Sequence, residues 1–101
     1  MAQRRPDGGD ALSADDLAHR LAEEGLTGAR WWSNGPGYTY GWHDHPYHKV
    51  LYCAEGSITF HLRDGDVELR AGDRLDLDPG TEHAATVGRT GVTCVEAPRP
   101  A

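Results

Sequence analysis

Gly41-Trp42-His43-Asp44-His45-Pro46-Tyr47-His48-Lys49 is the stretch from which the rest of the chain is read. It holds three of the six histidines, two of them spaced His-x-His. In a β-strand, residues i and i+2 point to one face, with Cβ atoms roughly 6–7 Å apart. Two imidazoles at that distance can converge on one metal ion through N–metal bonds of about 2.1 Å. Tyr38 to Trp42 leads in and Lys49 to Cys53 follows, both rich in the aromatic and β-branched residues of strands. Pro46 cannot donate to a ladder and belongs at a strand end or bulge. A His-x-His pair on its own is equally a polar surface ladder, so the decision falls to the rest of the chain.

Working outward, 101 residues make one domain with a modest core. The formal net charge is -6 and no basic run occurs, which argues against a nucleic-acid partner. No apolar run is long enough for a membrane span. Arg4-Arg5 is followed by no apolar segment of an export signal, so a cytoplasmic protein is expected. Cys53 and Cys94 sit in apolar runs and read as small buried hydrophobes.

Residues 1–12 read as a disordered leader. Residues 13–28 hold a short helix and a connection: Ser13 caps it, Asp15 and Asp16 occupy its first turn, Leu17, Ala18 and Leu21 form its apolar stripe, and Gly25 ends it. Residues 29–101 form the main domain, with a tail from Pro98 expected to fray. Within it, about eight short strands are predicted between turn clusters at 33–37, 54–57, 63–66, 71–73, 78–80 and 90–91. This is the pattern of an all-β sandwich or barrel.

Two spaced motifs can be laid on the chain. One runs Gly37, five residues, His43-x-His45, three residues, Lys49, six residues, Gly56. The other runs Gly72, then Pro79-Gly80, two residues, His83 and, after three more, Val87. With 15 residues between them, they make the chain resemble the cupins, the RmlC-like jelly-roll family. The resemblance covers residues 37–87 directly. It implies a cupin-type double-stranded β-helix, an antiparallel jelly-roll barrel, with the short helix before it. It also implies a metal held by His43, His45, His83 and a glutamate of the first motif. Lys49 stands at that glutamate's position, the second motif's Pro is shifted by one, and Val87 replaces its Asn.

Lys49 leaves three arrangements open. His48 rotates in as a fourth ligand through a bulge; three histidines bind alone, with water at the open positions; or Lys49 fills the site and no metal binds. An all-imidazole set suits Zn, Cu, Ni or Fe better than Mg or Ca, and Mn is the further candidate among divalent transition metals. No organic cofactor is indicated. Tyr40 and Trp42, with Lys49, are the candidate pocket residues; aromatics in so small a domain also serve as core or dimer interface. Glu82 is a possible partner for Lys49, while His61 and His19 read as structural. No general base or substrate-specific motif stands out, so catalytic residues stay unassigned. Two functions follow: a small metal-dependent enzyme doing oxygenase, isomerase or lyase chemistry on a small molecule, or a non-catalytic ligand- or metal-binding sensor module. A homodimer is expected for so small a core.

Overall fold

The structure is a computed structural model describing residues 2–5 and 13–99. One helix, α1 (Ala14–Glu23), precedes the main domain. The strands are β1 (Ala2–Arg5), β2 (Arg30–Asn34), β3 (Thr39–His43), β4 (His48–Leu62), β5 (Gly65–Arg70), β6 (Arg74–Leu77) and β7 (His83–Arg99). Every pairing is antiparallel.

β4 and β7 are long and bent, and each serves two sheets. Their halves 48–53 and 94–99 lie in a first sheet ordered β1-β6-β4-β7-β2. Their halves 58–62 and 83–87 lie in a second, with β5 beside β4 and β3 beside β7. The segments 54–57 and 90–91, predicted as turns, are bends inside continuous strands, where the β4–β7 register shifts. The bend needs glycine. Gly56 has φ +74°, and a Cβ there would lie 1.9 Å from the carbonyl oxygen of Gly91, itself at φ +83°. Two long bent strands therefore replace four of the eight short ones. The sheets make a jelly-roll and do not close into a barrel, because β1, β2, β3 and β5 remain edges among the described residues.

Between the sheets lies a core containing Leu51, Cys53, Ile58, Phe60, Leu69, Leu75 and Cys94. The outer face of the first sheet, Val50, Tyr52, Ala54, Val95 and Ala97, is covered by Leu17 and Leu21 of α1 and by Leu26. That sheet is buried on both faces, which explains the unbroken apolar run from Val50 to Ala54. Ser13 and Asp16 cap α1 reciprocally, Ser13 Oγ accepting from the Asp16 amide at 3.2 Å. Buried Arg74 ties the helix end to the sheet through Glu24, Asp76 and the Tyr52 hydroxyl.

Two terminal expectations change. Ala2–Arg5 pairs with β6 instead of running free; residues 6–12 lie outside the described ones. Pro98 and Arg99 do not fray but pair with Lys49 and His48, while residues 100–101 lie outside. Cys53 and Cys94 are buried, as read from sequence, and are free thiols that the register sets directly opposite each other. The Cys53 hydrogen bond and burial together push the Cys94 thiol far up.

Candidate metal centre

His83 opens β7 and faces inward from the second sheet, 2% exposed. His43 closes β3 directly opposite it in register. β3 carries a register shift between Tyr40 and His43, which lets these residues of opposite parity both line the interior. His45 is not in a strand. It follows β3 in the connection to β4, pinned by the Gly80 amide donating to its carbonyl at 2.8 Å. Pro46 sits in that connection, at the strand end where it was placed.

One ring nitrogen from each of His43, His45 and His83 lies within 4.8 Å of the others. Ring centroids are 4.3 Å apart for His43–His83, 5.0 Å for His43–His45 and 5.4 Å for His45–His83. The hydrogen bonds settle which nitrogens are free. His83 Nδ1 donates to the Thr81 carbonyl at 2.9 Å, and His43 Nδ1 to the Gly41 carbonyl at 2.7 Å. The outer bond orients each ring and leaves Nε2 with its lone pair. The Nε2 atoms of His45, His48 and His83 are buried without a hydrogen-bond partner among the described residues, and those of His45 and His83 belong to the three-histidine cluster. Burial, followed for His45 by Lys49 and His43, depresses the pKa of both rings and favours the neutral, metal-binding form. Unpartnered buried acceptors beside a third imidazole fit a divalent transition metal.

His48 is not brought to this cluster. By strand alternation it faces away from Lys49, and its ring lies 3.6 Å from an Asp76 oxygen and 3.5 Å from an Asp78 oxygen. Lys49 does face inward. It is 9% exposed, and its Nζ lies 3.0 Å from Glu96 Oε1. The same oxygen accepts from Trp32 Nε1 at 2.6 Å. Glu82 pairs with Arg63 instead, at 3.4 Å. Trp42 is 45% exposed outside the cavity, under the Arg63 guanidinium at 3.9 Å. Tyr40 lines the cavity, its hydroxyl donating to Asn34, and burial raises its pKa. His61 is structural, bridging Asp66 at 2.9 Å and Thr86 at 2.8 Å.

The cavity, of about 220 Å³, lies between the sheets. His43 and His83 form part of its second-sheet wall, with Ile58, Phe60 and Ala85. Lys49, Glu96, Trp32 and Arg30 form the first-sheet wall. Sequence reading missed Glu96 and Arg30. The available signal was parity: Glu96 shares a face with Cys94 and Val92, so a carboxylate falls where the strand is otherwise apolar.

Residues 30–94 match the cupin domain family. A chain from crystal structures of DMSP lyases is 28% identical with TM-score 0.67; the match covers 72% of this chain and 38% of that one. This chain thus spans well under half the length of that lyase. A cupin domain from Bordetella pertussis Tohama I is 26% identical with TM-score 0.59, the match covering 72% of this chain and 80% of that one. An RmlC-like cupin from Shewanella frigidimarina NCIMB 400 is 26% identical with TM-score 0.64, covering 72% and 65% respectively. No curated protein matches.

Proposed function

The chain belongs to the cupin domain family, and on that premise we propose that it is a small metal-dependent enzyme. His43, His45 and His83 hold one divalent transition metal and a small molecule reacts in the adjoining cavity. The observation that carries this reading is the pair of buried, unpartnered Nε2 atoms of His45 and His83 beside His43. Three imidazoles leave coordination positions open to a ligand. A bound divalent ion would there polarise a ligand oxygen as a Lewis acid.

This chain's own residues supply the rest. The Lys49 ammonium, anchored by Glu96, donates hydrogen bonds into the cavity. Ile58, Phe60 and Ala85 exclude water from one wall. Likeness to the DMSP lyases favours a lyase-type step over oxygenation or isomerisation. Among the described residues no helix is long and apolar enough to cross a membrane. Cytoplasmic location fits the two free thiols. A homodimer is part of the same proposal, and sedimentation at tens of micromolar tests it.

Metal analysis of purified protein, followed by titration with zinc, nickel and ferrous iron, tests the centre. One metal per chain is expected, with at least tenfold weaker binding in His83→Ala. Failure of the wild type to bind any of the three would overturn the proposal, as would unchanged binding by the variant. Stoichiometric metal without turnover of any small molecule would support the ligand-binding sensor reading instead.

A further inference from the structure

The first-sheet wall of the cavity has a charge that the metal reading does not use. Two cations, Lys49 and Arg30, face it against one carboxylate, Glu96. This sign is local, since the chain as a whole carries net charge -6. A basic cavity in an acidic protein is a focused field and not a by-product of general basicity.

The two cations are held differently. A lysine at a cavity edge would ordinarily carry its ammonium out to water. Lys49 does not, because Glu96 holds it inside and Trp32 Nε1 holds Glu96 in turn. One of its three N–H donors faces Glu96, and the others meet no partner among the described residues. Arg30, an exposed residue, also lines the cavity, and its side chain makes no hydrogen bond or ion pair to any described residue. Register explains the convergence: Arg30 is directly opposite Glu96, and Glu96 is directly opposite Leu51, two residues from Lys49. Where the family's first motif has a carboxylate, this chain has an ammonium, so the wall facing the histidines has changed sign.

We propose that the cavity selects a small carboxylate with a short apolar body. Its charge is taken up by Lys49 and Arg30, and its body packs on Ile58, Phe60 and Ala85. A guanidinium fork and a fixed ammonium match the planar pair of carboxylate oxygens. The volume of about 220 Å³ accommodates a small carboxylate. This inference rests on the metal reading only for the end of the ligand that faces the histidines; the charge selection belongs to the protein alone.

Calorimetric titration of zinc-loaded and metal-free protein with butyrate, succinate, phosphate and the neutral butyramide tests it. Butyrate or succinate should bind at least about tenfold more tightly than butyramide, the size of a charge-assisted hydrogen bond. Arg30→Gln, at an exposed position, should weaken carboxylate binding about fivefold or more and leave zinc stoichiometry unchanged. Equal binding of butyrate and butyramide would overturn the proposal, as would an unaffected Arg30→Gln. Phosphate binding tenfold tighter than either carboxylate would overturn the ligand class. If the protein takes up none of zinc, nickel and ferrous iron, the metal reading fails by itself, and the metal-free titrations still decide the charge selection.

Discussion

Replacing Lys49 with methionine keeps the aliphatic stem in place but removes the ammonium from the Glu96 carboxylate. The pair is 3.0 Å apart, with side chains 11% and 16% exposed. At an effective dielectric of about 20, the lost attraction is roughly 5–6 kcal/mol. Lysine no longer has to be desolvated, which offsets part of this. The Trp32 N–H still satisfies Glu96, and its partial exposure admits some water. We therefore expect Lys49→Met to lose about 3 kcal/mol at neutral pH, at the lower end of the cost of breaking a buried pair. Urea unfolding measures it, and the loss is large against a total of about 5–15 kcal/mol for a domain. Adding Glu96→Gln removes the stranded charge and keeps the acceptor for Trp32. The double variant should therefore recover to within about 1 kcal/mol of wild type. A loss under about 0.5 kcal/mol in Lys49→Met, or no recovery in the double variant, would show that water screens the pair. The wall would then not be a desolvated electrostatic device.

Three further outcomes follow from the same structure. Lys49→Glu returns a carboxylate to the wall facing the histidines and should tighten iron or manganese binding by roughly tenfold, since both accept carboxylate readily; metal titration giving equal or weaker binding would mean that position 49 does not reach the ion. Hydrogen bonding from Arg74, followed by its charge and then by Arg99, holds the Glu24 carboxyl below its usual value of 4.5. Because the folded-state pKa is lowered, the stabilisation is full above pH 4.5 and lost as pH falls through the folded value; Glu24→Gln should flatten the acid limb of the stability–pH profile, and an unchanged limb would refute this. Gly56→Ala should cost about 3 kcal/mol or more in urea unfolding, because its Cβ would meet backbone at 1.9 Å at a positive φ; a loss under 1 kcal/mol would show that the bend relaxes freely.

The histidines show where sequence reading succeeded for partly the wrong reason. His43 and His45 do converge with His83, but His45 lies beyond the strand, so strand parity is not what aims it. A bulge and a loop pinned to Gly80 do that work. Parity held where strands are regular: it placed Lys49 toward the interior and sets His48 on the opposite face. The strand count failed at 54–57 and 90–91, where glycines usually read as turns lie instead in bends of strands that remain paired.

Local pattern was therefore enough for the antiparallel all-β class, the capped helix, the buried cysteines and the three-histidine set. All of these depend on residues near one another or on motif spacing within the chain. The partner of Lys49, the place of Arg30 in the cavity lining and the exclusion of Trp42 and His48 from the cavity emerged only in the tertiary structure. Glu96 is 47 residues from Lys49 along the chain (96 less 49). Ion pairing between them depends on the register of β4 against β7 and on the closure of two sheets over one cavity. Those are long-range constraints, and no local propensity carries them.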